Sequence, residues 1–202
     1  MNLVHAAVVL AAGDSTRLGR AKQLLTCDGE TLVHRAARLA LESGAARVLV
    51  VVGAHADQMR IALDDLPLDC VVNVAWQTGM AGSLRLAADA LATHEGATLL
   101  LTCDQPALAS PHLLALRAAA ERSSTGSAGT RFGDKIGVPA WVSANVLRRA
   151  RTLPDGDRGL RDVLNGEGLD VAACDAPELA YDIDTPDDMD AAIAKGWLDL
   201  VS

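Results

Sequence analysis

Short apolar runs alternate with segments whose apolar residues recur at helical spacing, and this alternation restricts the fold of the 202-residue chain more than any other feature. The runs opening at Val8, Arg47 to Val52 and Ala97 to Thr102 lack polar alternation, as strands buried on both faces do. Cys70 to Val74 is a further strand. Between them, Thr31 to Ser43 places Leu32, Ala36, Leu39 and Ala40 on one face, and Gly44 supplies a stop. Ala56 to Leu63 reads as a short helix. Met80 to Thr93 reads as a longer one, with Leu84, Ala87, Ala88 and Leu91 aligned. Ser110 and Pro111 suit the N-cap and first position of a helix that runs to about Arg122. Strands alternating with helices imply right-handed crossovers and a mainly parallel sheet. Half the residues are apolar, yet only three Trp, one Tyr and one Phe are present, so Ala, Leu and Val must build the core.

The rhythm changes near Ser123. Gly133-Asp134 separates Thr130–Phe132 from Lys135–Trp141, as in a hairpin or antiparallel pair, which could sit on a flap. Ser143 to Arg151 and Leu160 to Asn165 read as helical, and Leu169 to Cys174 as a late strand. Thr185, Pro186 and Asp188 form the N-cap, N1 and N3 of a capping box that starts the last helix. No internal repeat or domain boundary interrupts the pattern.

The first run breaks into Gly13-Asp14-Ser15-Thr16-Arg17-Leu18-Gly19-Arg20-Ala21-Lys22. Gly13 can take positive φ and lets a ligand approach the backbone. Converging N–H groups make an anion site, and Arg17, Arg20 and Lys22 concentrate cations in a chain of net charge −8. The combination suits a polyphosphate. It is neither common phosphate loop. Ser15 stands where the dinucleotide fingerprint needs its second glycine, and five residues separate Gly13 from Gly19, which Arg20 follows.

The acidic balance argues against an extended nucleic-acid surface. Cys27, Cys70, Cys103 and Cys174 are dispersed, and the His residues form no metal motif, so neither a disulfide framework nor a zinc site is expected. No signal peptide and no membrane-spanning run is apparent, and free thiols fit a reducing compartment. A cytoplasmic protein is the expectation.

In an open α/β sheet, ligands bind beyond the carboxyl ends of the strands. Asp104 directly follows an apolar strand, where a carboxylate is costly unless solvated, paired or metal-bound. Asp184 precedes the last helix. Each has a plain structural reading, as a turn residue or near a helix start. Together with the phosphate loop they suggest a Mg2+ site, completed by water and phosphate oxygens.

The stretch Leu10 to Leu25 resembles the opening signature of nucleotidyltransferases with a MobA-like or sugar-nucleotide-transferase fold, L-A-A-G-x-S-x-R-[ML]-G-x-x-K-x-L-L, and matches every specified position. Further segments resemble the cytidylyltransferases that finish the molybdenum cofactor. These are L-L-x-C-D-Q-P at Leu100–Pro106, D-I-D-T-P-x-D at Asp182–Asp188, W-x-x-G-[ML]-x-x-S-[LV]-R at Trp76–Arg85, and G-x-P at Gly137–Pro139. Gly156–Arg161 resembles G-D-x-G-A-R with Leu160 in place of Ala. The resemblance spans Val8 to about Met189. It implies a three-layer, Rossmann-like α/β fold of the nucleotide-diphospho-sugar transferase type, with a mainly parallel mixed sheet and helices on both faces, in one domain over 1–202.

It also implies Mg2+-dependent transfer of CMP from CTP to molybdopterin. Lys22, Arg17 and Asp104 would act in catalysis. Leu10, Ala11, Ala12, Gly13, Arg17, Lys22, Gly53, Gly79 and Ser83 would bind the nucleotide. Asp104 and Asp184 would hold the metal, with Asp182 the alternative second ligand. Gln105, Pro139, Asp157 and Arg161 would face the acceptor. A molybdenum hydroxylase would receive the product. Transfer from GTP, a different phosphate acceptor, and a non-catalytic maturation factor that carries the cofactor to a hydroxylase remain open alternatives.

Overall fold

The computed structural model describes residues 4–156, 159–166 and 170–200. Seven strands form one sheet: β1 (Ala6–Ala11), β4 (Arg47–Val52), β5 (Asp69–Val72), β6 (Thr98–Thr102), β7 (Ala128–Phe132), β8 (Lys135–Val142) and β9 (Ala172–Asp175). Their order is β5-β4-β1-β6-β8-β7-β9. The β5, β4, β1 and β6 strands are mutually parallel. Only β8 runs against its neighbours β6 and β7, and β9 is parallel to β7. A small ribbon pairs β2 (Thr26–Cys27) with β3 (Glu30–Thr31).

The strands have two-residue periodicity, so one sequence feeds two cores. Ala7, Val9, Ala11, Val48, Val50, Leu99 and Leu101 face α1 (Leu32–Glu42), α2 (Ala56–Ala62) and α4 (Ser110–Arg122). Their neighbours Ala6, Val8, Leu10, Leu49, Val51 and Leu100 face α3 (Met80–Ala90), α5 (Ala144–Arg149) and α6 (Gly159–Leu164). A third cluster joins Leu18, Leu25 and Leu32 to Ile183, Ala192 and Leu198, so α7 (Pro186–Ala194) is latched onto the phosphate-loop region. Its capping box, Thr185 with Asp188, forms as expected. Among the described residues, no helix is long and apolar enough to cross a membrane.

Several boundaries differ from expectation. Ser110 is the first residue of α4, after an extended Ala109, so Pro111 falls one position further in. The Ser110 hydroxyl reaches Glu42 across the helix pair instead of capping. The third parallel strand stops at Val72 because the Asn73 side chain accepts from the Ala75 N–H and turns the chain. The β7–β8 pair is part of the main sheet, with β8 bonded on both edges, rather than a separate flap. The last strand begins at Ala172, and the expected start at Leu169 lies outside the described residues.

His5 carries a pH consequence. It is buried beside Trp141, with Nε2 2.9 Å from Ser43 Oγ. Ser43 already donates to the Ala40 carbonyl, so its oxygen accepts from a neutral His5. Burial, then the charge of Arg117, pushes the His5 pKa down to about 4. Its contribution to stability is present above the unfolded value near 6.5 and is lost as pH falls toward 4. Urea midpoints at pH 7 and pH 4 are expected to reveal a loss of about 2–3 kcal/mol in wild type that is missing from His5→Phe. Parallel pH profiles for the two proteins would refute this.

Candidate active site

The site is built at the carboxyl ends of β1 and β6, which are adjacent in the sheet. After β1 the chain enters the glycine loop, whose shape is fixed by Gln23. This residue is 1% exposed. Its Nε2 donates to the Ala11 carbonyl at 3.2 Å and the Gly13 carbonyl at 2.6 Å, and its Oε1 accepts from Ser15 Oγ at 3.4 Å. The Ala12 carbonyl accepts from Ala54 N–H. With three successive carbonyls turned into the protein, planar trans peptides direct the N–H groups of Ala12, Gly13 and Asp14 the opposite way. Gly13 does not supply the positive φ; Ser15 does, at 57°. A side chain at Gly13 would meet nothing within 4 Å, so the glycine leaves room on the loop surface.

Two cavities meet at Asp104. One, of about 430 Å³, is lined by Leu10, Ala11, Ala12, Gly13, Lys22, Trp76, Gly79, Met80, Ser83 and Asp104, among others. The other, of about 470 Å³, is lined by Asp104, Gln105, Phe132, Gly137, Val138, Arg161 and Asp182, and it shares Met80 and Thr102 with the first. Backbone pairing brings the carboxylates together, because Ile183 N–H donates to the Asp104 carbonyl. Lys22 Nζ lies 2.7 Å from Asp104 Oδ2 and 2.7 Å from Asp184 Oδ1. Arg17 reaches Asp184 Oδ2 at 2.9 Å from the solvent side. Burial acts to lower the Lys22 pKa, but the Asp104 and Asp184 carboxylates outweigh it and hold the ammonium above its ordinary range. Desolvation of its carboxyl and then the Asp104 charge push Asp182 upward, an effect that solvent moderates because the residue is exposed.

Most expected residues gather here, with exceptions. Arg17 stands at the rim rather than in either cavity lining. Arg20 belongs to a separate hollow with Ala21, Leu24 and His55. Gly53 lines neither cavity. It is a close-packing glycine, since a Cβ there would stand 2.6 Å from Trp76 Cβ and 2.7 Å from the Ala12 carbonyl oxygen. Pro139 is buried within β8, its carbonyl accepting from Thr130, while Gly137 and Val138 line the cavity in its place. Ser83 faces the first cavity with its oxygen receiving the Asn73 amide. Gln105 is buried and donates to the Val138 and Leu179 carbonyls, bracing the second cavity. Asp157 lies outside the described residues. Gln23, Thr102 and Phe132 were missed. Phe132, the chain's one phenylalanine, fills the space a side chain at Gly137 would take. The glycine beside that strand pair was the available signal.

The donor set fits a hard divalent ion. Asp104 and Asp184 converge on one point, and Asp104 Oδ1 is buried without a protein partner. The adjacent Cys103 is buried, which pushes its thiol up to about 12, and its soft sulfur is a donor that hard ions do not select. Among the described residues, no group of three or more His, Cys, Asp or Glu is arranged to hold an ion. Two carboxylates leave positions for water and phosphate oxygens, as Mg2+ prefers.

Comparison with known proteins agrees with this geometry. The MobA-like NTP transferase domain family matches residues 7–171. Nicotine blue oxidoreductase of Paenarthrobacter nicotinovorans is 33% identical over 90% of this chain and 93% of its own. A nucleotidyl transferase from Methanothermobacter is 25% identical, with a TM-score of 0.78 over 97% of this chain and 98% of that one. Rv0371C of Mycobacterium tuberculosis, crystallised with manganese, is 27% identical, with a TM-score of 0.76 over 94% and 98%. The chain belongs to the MobA-like NTP transferase family, and its enzyme class is nucleotidyltransferase.

Proposed function

We propose that the whole chain acts as one domain that transfers CMP from CTP to molybdopterin, with Mg2+ and release of pyrophosphate. The observation that carries this reading is the pair of cavities meeting at Asp104, beside a lysine held by two carboxylates. A two-substrate transfer needs such a junction, because most of its barrier is alignment and charge repulsion.

In this reading the triphosphate lies along the glycine loop, where the N–H groups of Ala12, Gly13 and Asp14 receive phosphate oxygens. Lys22 neutralises charge on the phosphates, and Arg17 assists from the rim. Asp104 and Asp184 would hold Mg2+, which supplies charge neutralisation at the transferred phosphate when bound. The acceptor phosphate oxygen forms a bond to the α-phosphorus as the bond to the β-phosphate breaks. The electron pair leaves with pyrophosphate, so no protein nucleophile is required. Gln105 and Arg161 line the cavity assigned to the acceptor, and Asp157 is kept as an acceptor residue on the family resemblance alone. Met80, Phe132 and Val138 favour an acceptor with a flat ring over a sugar phosphate, which needs more hydroxyl partners. Phe132→Ala is expected to raise KM for molybdopterin up to roughly tenfold with KM for CTP unchanged. Equal changes in both constants would remove Phe132 from the acceptor site.

The test is incubation with molybdopterin, Mg2+ and each of CTP, GTP and ATP, with mass analysis of the pterin and assay of pyrophosphate. The CMP adduct is expected with CTP. A GMP adduct would instead assign the GTP alternative, and cofactor binding without pyrophosphate release would favour the non-catalytic maturation role. A second reading is redox chemistry in the same cleft, favoured by the name of the Paenarthrobacter relative. Oxidation or reduction of nicotine blue, in place of pyrophosphate release, would select it.

A further inference from the structure

The carboxylate pair already has a cation. Lys22 Nζ takes Asp104 Oδ2 and Asp184 Oδ1, each at 2.7 Å, and Arg17 takes Asp184 Oδ2 at 2.9 Å. Three of the four carboxylate oxygens are therefore engaged. The fourth, Asp104 Oδ1, is buried away from solvent. The Lys22 side chain is 15% exposed and that of Asp104 is 17% exposed, so water screens their contact poorly. Lys22 and Arg17 between them balance the charges of Asp104 and Asp184.

We infer that the Lys22 ammonium is the resident cation of this site, and that a divalent ion enters only with a triphosphate that draws Lys22 and Arg17 onto its own oxygens. The inference rests on the nucleotidyl-transfer reading. A free divalent ion approaching the pair meets two cations already bound to it, and like charges at such range repel. A triphosphate reverses the balance, because it offers several anionic oxygens to the same two side chains. The lysine is built for the exchange. Its backbone N–H is fixed to Ser15 Oγ at 3.1 Å, while the flexible four-carbon stem lets Nζ move. The Arg17 side chain is 71% exposed, so its release breaks no core contact. Metal and nucleotide binding are then positively coupled, and the coupling is reciprocal.

The test uses Mn2+ as probe, with free ion measured by electron paramagnetic resonance, in the presence and absence of CTP and without acceptor. In wild type, CTP is expected to tighten Mn2+ binding roughly tenfold or more beyond the affinity of CTP itself for the ion. Lys22→Met is expected to bind Mn2+ alone at least about fivefold more tightly than wild type and to lose most of the coupling. Lys22→Arg keeps the charge and is expected to keep metal-only binding weak. Asp104→Asn is expected to weaken Mn2+ binding under every condition. Circular dichroism of each variant reports folding. Equal Mn2+ affinity for wild type and a folded Lys22→Met protein overturns the inference while leaving nucleotidyl transfer standing, provided CTP binds. Failure of both proteins to bind CTP overturns the two together.

Discussion

Lys22→Ala is expected to lower pyrophosphate release at saturating CTP and acceptor by about 10² or more, the cost of removing one preorganised charge-stabilising group. The size of the effect follows from place. Lys22 stands in the lining of the nucleotide cavity, within 2.7 Å of both carboxylates, and is largely withdrawn from solvent. Arg17 makes one contact with Asp184 and is 71% exposed, so Arg17→Ala is expected to cost less than tenfold. The two variants together separate a group inside the reaction volume from one at its rim. Removing Lys22 takes away the cation that Asp104 and Asp184 share and leaves Arg17 on Asp184 alone, so thermal stability should fall. Lys22→Ala/Asp104→Asn should recover part of that loss without recovering turnover. Single-turnover rates within a few fold of wild type for Lys22→Ala would remove the lysine from the chemistry.

Parts of this architecture were legible in the sequence because the physics involved is local. Arg47 to Val52 is apolar, β-branched and bounded by a stop, and it forms a strand with the expected limits. Thr31 caps α1 by accepting from His34 N–H, and Thr185 closes its box with Asp188. The convergence of Lys22 with Asp104 and Asp184 spans sequence separations of 82 and 162 residues. Its legible part was the rule that ligands gather at strand ends, together with the family resemblance that pairs Asp104 with Asp184; that β1 and β6 are neighbours, so that their following loops share one edge, is a finding of the structure. What stayed hidden depends on packing between distant segments. Gly53 resembles a ligand-approach glycine, and only the contact with Trp76 and Ala12 reveals its role in packing two loops. Pro139 lies one residue beyond the cavity lining, buried within β8 with its carbonyl held by the Thr130 hydroxyl, a contact between strands that the G-x-P pattern does not reveal. The position of β8 between β6 and β7 could not follow from its hairpin turn, since a turn fixes a pairing partner and says nothing about the second edge.

Gln23→Leu is expected to disable the phosphate loop and destabilise the protein together. The leucine is close in size, so the change is one of hydrogen bonding rather than volume. It removes the donor shared by the Ala11 and Gly13 carbonyls and the acceptor for Ser15 Oγ. A buried carbonyl left unpaired costs about 1–3 kcal/mol; that of Ala11 carries this in full and the partly buried Gly13 carbonyl less, so a total near 2–4 kcal/mol is expected. For a chain of this length that lowers the melting midpoint by roughly 5–15 °C. The loop has a second consequence. Once the Ala11 and Gly13 carbonyls are no longer held by Gln23, the N–H groups of Ala12 and Asp14 in the same two peptides lose their fixed direction, and KM for the nucleotide should rise about tenfold or more. Gln23→Glu distinguishes the two contributions. It preserves shape and the acceptor for Ser15 but presents a carboxylate to two carbonyl oxygens, so it should be at least as damaging as leucine. Gln23→Leu with an unchanged midpoint and unchanged KM would show that the loop holds its shape without the buried amide, leaving Ser15, through its left-handed backbone and its bond from the Lys22 N–H, as the organising residue.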